Sequence, residues 1–119
     1  MFKLLVKFPS RNRPEKFKSI LNRYIEWVSG KHSVRFVITM DEDDSTMNVD
    51  DIKEYLDSHI KNGVDLSYYY GDSKTKVEAC NANLEGEEAD VIMLISDDMV
   101  LQQKNYDDLI FENFQVAFP

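Results

Sequence analysis

The sequence predicts an α/β domain: three layers, α/β/α, built on a mostly parallel four-stranded sheet. Two observations predict it. Short apolar runs of strand length at 2–8, 34–40, 64–70 and 91–95 alternate with longer segments whose apolar residues fall at helical spacing. The resulting order, β-α-β-α-β-α-β-α, is that of a parallel sheet whose crossover helices cover both faces.

Each element has its own grounds. The first run, Phe2 to Phe8, meets Pro9-Ser10, a strand followed by a turn. Phe17, Ile20, Leu21, Tyr24, Ile25 and Val28 then form a continuous helical stripe. Asn12 and Glu15 have capping-box spacing, Pro14 suits a first helical turn, and Ser29-Gly30 stops the helix. Val34 to Met40 is the second strand, followed by the acidic loop Asp41-Glu42-Asp43-Asp44-Ser45-Thr46. Asn48 is placed to cap a second helix through Ile60, with Val49, Ile52, Tyr55, Leu56, His59 and Ile60 on its apolar side, ended by Asn62-Gly63. Val64 to Tyr70 is the third strand, where Tyr68, Tyr69 and Tyr70 favour extended backbone. A turn through Gly71-Asp72-Ser73 leads to a weaker helix from Lys74 to Leu84, with Val77, Ala79, Cys80 and Leu84 inward. After the solvated link Glu85-Gly86-Glu87-Glu88 comes the fourth strand, Val91 to Ile95. The last helix runs from Tyr106 to Ala117, with Tyr106, Leu109, Ile110, Phe114 and Ala117 predicted inward.

Residues 1–119 read as one domain without repeats or linkers. A 43% hydrophobic and 30% charged composition is that of a globular chain. The net charge of −8 argues against a general nucleic-acid or anionic-membrane partner, both of which need a basic footprint. Cys80 is the only cysteine, so there is no internal disulfide framework and no cysteine zinc site, and a reducing compartment is expected. His32 and His59 are too far apart in sequence to suggest a histidine metal site. No run reaches the roughly 18 apolar residues of a membrane span. The N-terminus is broken by Lys3 and Lys7 and lacks a signal peptide's long apolar region, so the expected location is cytoplasmic.

Polar residues gather where strands end. Ser10, Arg11, Asn12 and Arg13 follow the first, Asp41, Asp43 and Asp44 the second, and Ser96, Asp97 and Asp98 the fourth. With strand order 3-2-1-4 these loops converge at the switch point between the first and fourth strands, where open α/β sheets bind ligands. Arginine forks there suit a diphosphate. A carboxylate after the second strand can accept from a ribose or a base N–H. Adjacent carboxylates after the fourth suit Mn2+ or Mg2+ carrying phosphate oxygens.

Four segments together resemble the N-terminal, nucleotide-binding half of GT-A-fold glycosyltransferases, especially the large family that contains many inverting enzymes. They are Phe8-Pro9-Ser10-Arg11-Asn12-Arg13-Pro14, Val37 to Ser45, Lys76-Val77-Glu78-Ala79-Cys80-Asn81 in the pattern Lys-x-x-Ala-x-Asn, and Ile95-Ser96-Asp97-Asp98-Met99 in place of an Asp-x-Asp step. The resemblance covers nearly the whole chain. It implies the Rossmann-like half of a GT-A fold that binds a nucleotide sugar, UDP- or another NDP-sugar. By this likeness Pro9, Ser10, Arg11, Arg13, Asp41, Asp43, Lys76, Asn81 and Asp97 would contact the nucleotide, and Asp98, with Asp97, the metal. Two departures limit it. Ser96 stands where the step normally has its first aspartate, and only residues 99–119 follow, where the family places an acceptor half with its catalytic base. The chain is therefore expected to be a C-terminally truncated, donor-binding portion, with Phe114, Val116 and Phe118 as apolar surface for self-association.

Plainer readings stand beside these. Asp97 and Asp98 would serve equally as turn or cap residues. Asp43 and Asp44 read more simply as a solvated loop, Arg11 and Arg13 as surface charges or partners of that loop, and Trp27, His59, Cys80 and the three tyrosines as packing. Two other functions compete. One is a non-catalytic interaction module with this fold, whose sign would be no nucleotide binding. The other, a receiver-like signalling domain, fits less well. It needs acids after the first and third strands, where this chain has Pro9-Ser10-Arg11 and Tyr70-Gly71.

Overall fold

The computed structural model describes residues 1–72 and 75–117 and, for 76 and 77, the backbone only. Ser73, Lys74, Phe118 and Pro119, with the side chains of Lys76 and Val77, lie outside the described residues. Strands β1 (Lys3–Ser10), β2 (Ser33–Asp41), β3 (Leu66–Gly71) and β4 (Val91–Leu94) alternate with helices α1 (Pro14–Glu26), α2 (Asp50–Lys61), α3 (Lys76–Asn81) and α4 (Tyr106–Ala117). The sheet order is β3-β2-β1-β4 and every pairing is parallel. The domain is a three-layer, Rossmann-like α/β/α sandwich.

Strand β1 lies inside the sheet, so both of its faces must be apolar and covered. Leu4, Val6 and Phe8 join the main core with Phe36, Ile38 and Met40 of β2. Helices α1 and α2 close that core through Phe17, Ile20, Leu21 and Tyr24, and Ile52 and Leu56. The Phe8 and Phe17 rings lie 5.1 Å apart. Leu5 and Lys7 point to the opposite face, where α3 packs on β1 and β2. Helix α4 lies beside α1: Tyr106 stacks edge-on against Tyr24 at 5.3 Å, and Phe111 and Phe114 meet Phe2 at 5.2 and 5.4 Å.

Several local expectations need correction. Strand β1 runs through Pro9 to Ser10 rather than turning at Pro9. Proline is tolerated there because it needs no N–H for the ladder. Asn12 does not cap α1. It takes a left-handed conformation, φ 59°, and the N-cap is Arg13 without a side-chain cap bond. Nor does Asn48 cap α2, since its amide donates to the Glu42 carbonyl and the N-cap is Val49. Helix α3 is shorter than expected: Thr75 caps its start, accepting from the Glu78 N–H at 3.1 Å, and the backbone turns extended at Ala82.

The register of α4 also differs. Leu109 (46% exposed) and Ala117 face outward, while Asp107 is fully buried. The Asp107 carboxylate accepts from the Ser29 N–H and the Ser29 hydroxyl, both at 2.7 Å. Phe111 stacks on His32 at 4.4 Å. This polar clamp to the end of α1, which apolar periodicity does not record, rotates the helix. Of the apolar surface expected to drive self-association, Phe114 is partly buried against the core and Val116 is 83% exposed.

Candidate functional site

A cleft of about 330 Å³ opens at the carboxyl ends of β1, β2 and β4, where the topology predicts a ligand site. Seven of the expected residues line it: Pro9, Ser10, Arg11, Arg13, Asp41, Asp97 and Asp98. Asp43 and Asn81 are exposed and do not line it. Lys76 cannot be placed, since its side chain is outside the described residues. Thr39 and Thr75 line the cleft without having been foreseen as site residues. Thr39 was legible in principle, because it stands two residues before Asp41 on the same side of β2. Thr75 was not, because its place depends on where α3 starts.

The charges of the cleft are paired among themselves. Arg11 Nη1 lies 3.2 Å from Asp41 Oδ2. Arg13 Nη1 lies 2.7 Å from Asp98 Oδ1 and 3.9 Å from Asp97 Oδ1, and Lys16 Nζ comes within 3.6 Å of Asp98. Burial raises the Asp41 pKa above the usual carboxylate range, and the nearby Arg11 only partly offsets this.

The pairing overturns the expected metal step. Among the described residues, no group of three or more His, Cys, Asp or Glu side chains is placed to hold a metal ion. Asp97 and Asp98 offer two carboxylates where Mg2+ wants six oxygens, and the cationic groups of Arg13 and Lys16 already face Asp98. Metal-mediated binding of an NDP-sugar with Mn2+ or Mg2+, and a metal-binding role for Asp98 or Asp97, are therefore set aside.

Asp44 needs correction in the opposite direction. It is not a solvated loop residue but is buried, with 4% of its surface exposed. Its carboxylate accepts from the Asn12 N–H at 2.8 Å, the Thr46 N–H at 3.0 Å and the Thr46 hydroxyl at 2.6 Å. Burial pushes its pKa up, but these bonds outweigh that and hold it below the ordinary value. Asp44 thus joins the acidic loop to the turn after β1 and shapes the cleft wall without being a ligand group.

Two polar groups lie under the cleft. Ser10 Oγ is buried and has no hydrogen-bond partner among the described residues. Lys7 is fully buried, and its ammonium donates to Thr39 Oγ1. Thr39 Oγ1 in turn donates to Asn83 Oδ1 at 2.8 Å. Burial lowers the Lys7 pKa to about 8, with Cys80 opposing the shift. A lysine in a strand usually signals a solvent-facing position, so sequence reasoning missed it.

Elsewhere the polar contacts are structural. Arg35 binds both carboxylate oxygens of Glu87, at 2.7 and 3.1 Å, and also reaches Asp65 and Ser67. It straps the link before β4 across the sheet. His59 contacts Asn22 Oδ1 at 3.2 Å, and burial lowers its pKa. No helix among the described residues is long and apolar enough to cross a membrane. No protein-family model matches the sequence, and no curated protein matches it significantly. The likeness to glycosyltransferases therefore rests on the Rossmann-like architecture and strand order alone.

Proposed function

We propose that this chain is a non-catalytic α/β interaction module that keeps a nucleotide-binding type of scaffold without its metal-dependent chemistry. The observation that carries this reading is the internal neutralisation of the cleft. Arg11 and Arg13, the groups best suited to a diphosphate, each face an aspartate. A diphosphate would have to displace those contacts and then face three carboxylates, Asp41, Asp97 and Asp98, with no further cation between among the described residues.

Isothermal titration of the full chain with UDP and other nucleoside diphosphates tests this, with Mn2+ and separately in EDTA. The expected outcome is no binding in either buffer. Saturable UDP binding that Arg13→Ala abolishes would overturn it.

A second reading is favoured by the buried hydroxyl of Ser10 at the cleft, which has no partner among the described residues. In it, a small neutral hydroxyl-bearing molecule is held directly by Ser10 and Asp41. Binding of uridine or a free sugar in EDTA, lost in Asp41→Asn, would support this reading over the first.

A further inference from the structure

Strand β4 is an edge of the sheet and, among the described residues, pairs only with β1. Its four residues, Val91-Ile92-Met93-Leu94, are all apolar. Val91 and Met93 pack partly against the core, but Ile92 is 54% and Leu94 47% exposed. In the ladder Ile92 and Leu94 stand beside Leu5 and Lys7, both essentially buried, so the covered part of that face stops at β4. An edge strand carries unpaired N–H and C=O groups, and proteins commonly protect such edges with charge, proline or a bulge. Among its described residues β4 has none of these. It offers a backbone ladder and an apolar ledge together.

The exposed charge just before this strand is mostly acidic. Glu85, Glu88 and Asp90 precede the strand and are exposed, and Asp97 and Asp98 follow it. Among the described residues the bases near this edge are fewer: Lys3, exposed on β1, lies beside Asp90, while Lys7 is buried under Thr39 and Arg13 and Lys16 face Asp98.

We infer that β4 is a docking edge for an extended basic–apolar peptide segment of a partner protein, which adds as a fifth strand. Alternate apolar side chains of that segment cover Ile92 and Leu94. Its lysines or arginines meet the exposed acids Glu85, Glu88 and Asp90 before the strand, in the manner of strand addition at a sheet edge. A second copy of this chain fits less well. Each copy carries a net charge of −8, so two copies repel, whereas a basic segment is attracted. This inference rests on the interaction-module reading and names the partner that reading lacks.

The test is fluorescence anisotropy of labelled seven-residue peptides with the full chain. One peptide alternates lysine and valine, a second alternates glutamate and valine, and a third repeats the first with a central proline. The lysine–valine peptide is expected to bind about tenfold or more tighter than either control, and to weaken with added salt. Ile92→Lys is expected to reduce its affinity by about tenfold, with the far-UV circular dichroism of the fold retained. Should that variant not fold, amide hydrogen exchange on the unaltered chain decides: bound peptide slows exchange in residues 91–94. No binding, equal binding of all three peptides, or a dimer dissolved by Ile92→Lys would overturn the proposal. UDP binding alongside specific peptide binding would overturn only the account of the cleft. Failure of both peptide and UDP binding would overturn only the account of the edge.

Discussion

Replacing Lys7 with methionine should stabilise the protein at neutral pH, and the gain should shrink as the pH rises. Lys7 is fully buried in the centre of the sheet. Burial lowers its pKa from 10.5 to about 8. The sign follows from linkage. A lysine whose folded pKa lies below its unfolded value binds protons more weakly when folded, so the charged form opposes folding. The penalty is complete below the folded pKa and vanishes above the unfolded one. The difference of 10.5 − 8 gives 2.5. At about 1.4 kcal/mol per unit this is about 3 kcal/mol at pH 7, falling to about 1.5 kcal/mol at pH 9.5. Methionine fills similar volume without a charge. Its loss of the ammonium leaves no orphan, because Thr39 Oγ1 still donates to Asn83. Urea unfolding of both proteins at pH 6, 7, 8.5 and 9.5 reads the difference, and the contributions of other titrating groups cancel between the two curves. A variant less stable than the parent at pH 7 would refute the reasoning, as would a difference that does not change with pH.

Other substitutions probe the remaining joints. Phe17→Ala removes a fully buried ring packed against Phe8 and Tyr55. It should cost about 3–5 kcal/mol by denaturant unfolding. Asp107→Ala removes both acceptors that hold the Ser29 N–H and hydroxyl. It should cost about 2–3 kcal/mol and loosen α4 first, visible as faster amide exchange in residues 106–117. Asp44→Ala should destabilise by about 2–3 kcal/mol near neutral pH, since several charge-assisted bonds are lost. Because the folded Asp44 pKa is lowered, that deficit holds above about pH 4, the unfolded value, and narrows as the pH falls toward the folded one. A pH-independent deficit would count against the charge-assisted account.

The architecture was legible because its signals are periodic. The stripe Phe17, Ile20, Leu21, Tyr24 places α1 on the core, and all four residues are buried. The strand runs and their alternation with helices carry the topology, including β1 between β2 and β4. Signals carried by single polar residues fared less well. Asn12 and Asn48 had the spacing of caps but found other roles, one in a left-handed turn and one bonded to Glu42. Asp107 carries no apolar signal, yet it is the buried anchor of α4. For the cleft, position along the chain was enough to bring Ser10, Arg11, Arg13, Asp41, Asp97 and Asp98 to one place. It was not enough to say what they do there. Whether two adjacent aspartates bind a cation or an arginine depends on a rotamer choice across residues 85 apart, as in the Arg13–Asp98 bond.

The strand order also sets a schedule for synthesis. Strand β1 is made first, yet its second neighbour is completed only at Leu94, and the Lys3 N–H bonds to Asp90, 87 residues later. Between the end of β2 at Asp41 and the end of β4 at Leu94 lie 94 − 41 = 53 residues. At about 5–20 residues per second, a nascent chain spends roughly 3–10 s with one apolar flank of β1 open. The first strand of the sheet thus waits for its fourth with an apolar flank uncovered. Slowed translation between residues 41 and 94 should raise aggregation of the nascent chain more than slowing elsewhere.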